Sequence, residues 1–251
     1  MSLSFGAIIP HPLSAKSELQ RSSKTIESIE ILSKEIESIG IETILIITPH
    51  MPVNLNSFSI VESSRLVGDF RQFGDLKNKV TAKNDLKLVA DIKKGAAFER
   101  IPLSSFNDPK MDYGVSIPLY LLNTKVKVTP LGVSGLSPRE HLNFGRIIAR
   151  VIEKSKSKIG VIASANLSQK LSPGLSGGYS PKGKDVDSMI VKSIEKGDAE
   201  AIAKILDRPT VCGYLPMMIL FGIFEKTKWK GEVLSYESPF GTGQMTARIK
   251  R

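Results

Sequence analysis

The segments "GAIIPHP" (residues 6–12) and "LIITPHM" (residues 45–51) are two versions of one phrase: an apolar, β-branched run that stops at Pro-His. Between them, Ile26, Ile29, Leu32, Ile36 and Ile39 recur every three or four positions, so residues 17–39 read as a helix that stops at Gly40. Strand, helix and strand in this order form a βαβ unit, whose crossover is right-handed. Both strands of such a unit run the same way, and open α/β sheets take their ligands at the carboxyl edge. His11 and His50 therefore fall on that edge, one residue past each strand. The expectation is that these strands are neighbours, which places the two imidazoles about 4.8 Å apart at the backbone. Two converging neutral imidazoles begin a transition-metal site, and a carboxylate or thiolate completes it. The alternative is that each histidine ends its strand in a hydrogen-bonded loop; the equivalence of the two positions favours the metal.

Strands and helices alternate through the rest of the chain. "NSFSIVE" (56–62), "KVTPLGV" (127–133) and "KIGVIASA" (158–165) read as strands. "NDLKLVADIKKG" reads as a helix opened by Asn84 and closed at Gly95. "SPRE" (137–140) is a capping box with proline at the first helical position, opening a helix to about Lys154. His141 follows that cap as a surface or half-buried helix residue. A glycine-rich stretch (Pro173–Gly183) leads to two short helices, the second capped by Asp198. "CGYLPMMILFGIFE" (212–225) reads as an apolar helix interrupted by Pro216, and "GEVLSYES" and "QMTARIK" pair around the "PFGTG" turn. The expected fold is a single α/β domain over residues 1–251, with a mostly parallel central sheet flanked by helices.

Composition narrows the function. The 251 residues suffice for a sizeable core, and no apolar run reaches membrane-spanning length. With one cysteine, Cys212, and no basic, apolar leader, the expectation is a cytoplasmic protein without a disulfide. The net charge of +10 is spread along the chain, with short clusters at 153–158, 225–230 and the last residues. Aromatics are not interleaved with these lysines, so neither nucleic acid nor membrane is the expected partner. The field instead steers a small anionic molecule.

Longer motifs carry a family resemblance. "IIPHP" and "ITPHMPV" resemble the metal-binding strand ends of class III extradiol ring-cleaving dioxygenases, the LigB-like family, and its AmmeMemoRadiSam-associated, Memo-like branch. "LVGDFRQFG" (66–74), "DYGVSIPLYLL" (112–122), "SANLSQKLSPGLSGGYSPKGKDVD" (164–187), "CGYLPMMILFG" (212–222) and "SYESPFGTGQMTA" (235–247) continue the likeness in order. The resemblance implies a non-haem Fe(II) site of two histidines and a glutamate that opens catechol-type rings with dioxygen. It places His11 and His50 at the histidine ligand positions.

Elsewhere the chain departs from that pattern. The family's glutamate falls at Val211, its acid–base histidines at Gln169 and Tyr113, an aspartate at Asn166 and a late tyrosine at Gln244. Gln169 and Tyr113 are thus the candidate catalytic groups, although glutamine cannot pass a proton. Cys212 either replaces the lost carboxylate, as the likeness to Memo-type members implies, or is a buried structural cysteine. Fe(II) is the metal the family implies. Zn(II) or copper suits a thiolate, and the absence of a tightly bound metal is the remaining option. Two functions stay open: a ring-opening dioxygenase with a degenerate site, and a Memo-like protein that binds a metal and a small aromatic or anionic ligand or a peptide. A homo-oligomer is compatible with either.

Overall fold

The computed structural model describes residues 2–11, 21–173, 178–205 and 211–250. The chain forms a mixed α/β fold around a large sheet. Its elements, in chain order, are β1 (Leu3–Ile9), α1 (Ser23–Ile39), β2 (Thr43–Thr48), β3 (Phe58–Val61), β4 (Arg65–Phe70), β5 (Asp75–Lys83), α2 (Leu86–Phe98), β6 (Leu103–Phe106), α3 (Tyr113–Leu122), β7 (Lys127–Gly132), α4 (Pro138–Glu153), β8 (Ile159–Ser164), α5 (Gly183–Lys196), α6 (Ala199–Ala203), α7 (Tyr214–Phe224), β9 (Lys230–Glu237) and β10 (Gln244–Lys250). Residues 17–20 of the expected first helix and 174–177 of the glycine-rich stretch lie outside the described residues.

Eight strands form the sheet in the order β6-β3-β7-β2-β8-β1-β10-β9. Its centre, β7-β2-β8-β1, is parallel throughout. These strands are buried on both faces, and alternate residues serve opposite layers. Leu45 and Ile47 of β2 pack with α2, α4 and α7, whereas Ile44 and Ile46 pack with α1 and α3. The outer pairings β3–β7, β1–β10 and β10–β9 are antiparallel.

The structure corrects one expectation that bears directly on the site: β1 and β2 are not neighbours. β8 lies between them and is parallel to both. Sequence proximity favoured direct pairing, but a later strand inserts into the unit.

Other corrections are local. Asp85, not Asn84, caps α2, accepting the Leu88 N–H, while Asn84 donates to the Val61 and Ser63 carbonyls. The helix runs past Gly95, and the left-handed residue beyond its end is Arg100 (φ 56°). Pro216 does not interrupt α7. It sits in the first turn, where a backbone N–H has no partner within the helix to lose. His141 is fully buried. It accepts the Ser134 N–H at Nε2 and donates from Nδ1 to the Ser137 carbonyl, which binds a loop to its own helix. The β4–β5 hairpin and the helical state of residues 113–122 go beyond the sequence expectation. The capping box of α4 and the Asp198 cap form as expected.

α4 and α7 pack backbone to backbone where they cross. A Cβ at Gly145 would run into the backbone of Ile219 and Gly222. Backbone cannot yield as a side chain can, so Gly145→Val is expected to cost about 3 kcal/mol. It should lower the melting temperature by roughly 5–10 °C in a calorimetric scan.

Candidate metal centre

His11 and His50 meet across the end of β8. Their Nε2 atoms lie 2.9 Å apart, close enough to share one proton, and the rings are perpendicular. Each Nδ1 faces an oxygen: His11 faces the Ser164 hydroxyl at 2.8 Å, and His50 faces the Tyr113 phenol at 2.8 Å. Both hydroxyls can accept a hydrogen bond from an Nδ1–H, and in that tautomer both Nε2 lone pairs are free for a metal. Cys212 places a third potential ligand atom beside them, with its sulfur 3.5 Å from His11 Nε2. One donor atom from each of the three residues lies within 4.8 Å of the others.

Local structure explains why these groups converge. Asn166, just past β8, clamps the His11 backbone from both sides. Its side-chain oxygen accepts the His11 N–H at 3.1 Å and its amide donates to the His11 carbonyl at 3.3 Å. The Asn166 carbonyl also accepts the Gly213 N–H, which fixes the turn carrying Cys212. On the other side, Asp112 caps α3 by accepting the Gly114 N–H and also accepts the Thr48 hydroxyl. That tie joins the end of β2 to the start of α3 and stacks Tyr113 on His50, with centroids 4.0 Å apart.

The structure thus brings Tyr113, Asn166, Gln169 and Cys212 to the two histidines. Gln169 is exposed and hydrogen-bonds the Cys212 sulfur. Val211 is buried in a bridge with Ser168 and offers no donor. Gln244 is buried beside Asn166, where its side chain accepts from Thr25. The sequence reading missed Ser164, Thr48 and Asp112 as supports. Their only signal was a small polar residue at each strand end and an aspartate before a helix.

Burial dominates the electrostatics. It pushes His11 well below the usual histidine range, with His50 adding to the effect, and lowers His50 to about 4. Both imidazoles are neutral at pH 7, as ligation requires. Burial also raises the Cys212 thiol to about 11 and the Tyr113 phenol to about 12, the latter with help from Cys212 and Asp112. Tyr113 can therefore donate a hydrogen bond but is no base near neutrality.

These features define a class: an α/β protein with a His-His-Cys group that could hold a metal at the carboxyl edge of its sheet. The family model described as "Catalytic LigB subunit of aromatic ring-opening dioxygenase" matches residues 4–247, and the chain belongs to that family. The family is metal-dependent. "Protein CA_C1420" of Clostridium acetobutylicum is 29% identical over 272 residues, covering 100% of this chain and 58% of the relative. The chain thus spans little more than half of that relative's length. The crystal structure of the uncharacterized protein JW3007 from Escherichia coli K12 shares the fold with a TM-score of 0.70 at 13% identity, covering 98% of this chain and 99% of that one. Among the described residues no helix is long and apolar enough to cross a membrane.

A second buried group braces the loop behind the centre. Asp187 accepts the Ser168 N–H at 2.8 Å and the Tyr236 hydroxyl at 2.7 Å, and burial raises its carboxyl to about 6. Its folded pKa lies above the unfolded value of about 3.9, so the native state holds the proton more tightly. Its contribution to stability is fully present below pH 4 and is lost as pH rises through 6. The change is up to about 3 kcal/mol. Denaturant titrations from pH 4 to 7 should show that decline, and Asp187→Asn should flatten it.

Proposed function

We propose that this protein holds one transition-metal ion on His11, His50 and Cys212 and binds a small molecule there, in the manner of a Memo-like member of its family. The observation that carries the reading is the convergence of two neutral imidazoles and a thiol within 4.8 Å. Two imidazoles and a thiolate fit Zn(II), copper or a thiolate-ligated iron. They do not fit the family's two-histidine, one-carboxylate Fe(II) site, because Val211 occupies the carboxylate position. We therefore assign no ring-opening step to the centre. The centre's own residues would orient the ligand: Tyr113 fixes the His50 ring, Ser164 fixes His11, and Gln169 holds the sulfur.

A second reading, Fe(II)-dependent opening of a catechol-type ring, is favoured by one feature besides the family. A cleft of about 610 Å³ beside His50 and Tyr113 carries Arg71 and Lys110, which can pair with an anionic aromatic molecule, alongside the acidic Asp69, Asp108 and Asp112. The positions of the family's acid–base histidines pass no proton there, since Gln169 cannot titrate and Tyr113 is held near 12. Loss of positioned acid–base catalysis typically costs about 10²–10⁴-fold.

Protein purified without chelator should carry close to one metal ion per chain by elemental analysis. Cys212→Ser should weaken metal binding at least tenfold while leaving the melting curve of the metal-free protein unchanged. That core is apolar and independent of the metal. Equal affinities would remove the thiolate from the reading. Oxygen uptake with catechols by the Fe(II)-loaded protein should remain near background. Ring opening at ordinary enzymatic rates would instead establish the second reading.

A further inference from the structure

We infer that the exchangeable position of the metal centre opens onto an uncharged cleft and receives a neutral ligand, one small donor head on an apolar body. This rests on the metal centre proposed above.

Two clefts of different character flank His50. The larger one, described above, touches the donor set through His50 alone, and its rim is charged with Asp69, Asp108, Arg71 and Lys110. The second, of about 410 Å³, touches both His50 and Cys212. A molecule entering there meets two of the three donors at once, so it has the shorter route to the ion. Its walls include Pro49, Val53, Val133, Val211 and Leu215, and no charged residue lines it.

Several polar groups of this second cleft are already engaged. The Ser134 N–H donates to His141 Nε2, and the Ser134 hydroxyl accepts the Leu136 N–H. The Tyr214 hydroxyl donates to the Ala203 carbonyl, so Tyr214 presents its ring. An anionic group placed there would meet no charged side chain, with the Ser134 O–H as its side-chain donor, and would lose its water, which is costly. An apolar tail would instead be favoured by about two- to fourfold in affinity for each methylene buried. Val211 deepens the contrast, since the resemblance puts a carboxylate at its position. The volume suits a small ligand of few carbons beyond its donor atom. The charged rim of the larger cleft then serves a different molecule or a different part of one.

Cobalt(II)-loaded protein tests this, because cobalt–thiolate absorption reports the centre and its perturbation reports an added ligand. The probes are 1-methyl-, 1-propyl- and 1-butylimidazole, which keep one neutral donor and lengthen the tail, and 3-(imidazol-1-yl)propionate, which ends in a charge. Affinity should rise about two- to fourfold per methylene along the neutral series, and the propionate should bind no tighter than 1-methylimidazole. Val53 is exposed, so Val53→Asp should preserve the fold, and it should flatten the series by placing a charge in the wall. If the thiolate band never forms, the metal centre itself is wrong and this inference falls with it. If the band forms but affinity ignores tail length, the centre stands and the apolar route alone is overturned. Preferential binding of the propionate, lost in Arg71→Ala, would likewise overturn it and assign the exchangeable position to the charged cleft.

Discussion

The hydrogen bond between His11 and His50 spans a strand that belongs to neither of them. β1 and β2 are separated by β8, so their backbones stand about 10 Å apart, twice the usual spacing. The two rings close that gap only because β8 ends in small side chains, Ser164 and Ala165, before Asn166 takes hold of the His11 backbone. Ala165 also has Gly213 packed directly against it, which lets the turn before α7 come down onto the sheet edge with Cys212. A bulky residue at Ala165 would lift the turn that carries Cys212 away from the sheet edge. The convergence is therefore a property of the end of β8 as much as of His11, His50 and Cys212 themselves.

The readability of this arrangement from sequence divides along a physical line. The parallel core was legible because its strands are continuous apolar runs, and α4 was legible because its capping box is a local hydrogen-bond pattern. Convergence of the histidines was legible too, although for an incomplete reason. Which strand lies between them depends on a pairing more than a hundred residues distant in the chain, and no local pattern records it. The β4–β5 hairpin was hidden for another reason. Most of β5 is exposed or half-exposed, so its sequence carries no apolar alternation to detect. The burial of His141 could not be read from its helix, because its acceptor nitrogen serves Ser134 in the preceding loop. Pro216 misled in the opposite direction, since a proline halts a helix or starts one according to a boundary that sequence places only within a few residues.

The electrostatics of the site limit what it can hold. Two neutral, desolvated rings and a thiol raised to about 11 make a donor set that carries no charge at pH 7 without an ion. Ligation through sulfur must displace the thiol proton, which from about 11 to neutrality costs about 5 kcal/mol of the metal's intrinsic affinity. Only an ion that bonds strongly to thiolate can offset that cost, which disfavours hard, oxygen-seeking ions. The thiolate restores the single negative charge that a carboxylate would have contributed. With Val211 where the resemblance puts a glutamate, a Cys212 thiolate would change the softness of such a site more than its charge. The nearby phenol is held protonated and Gln169 cannot titrate, so neither side chain passes a proton near neutrality.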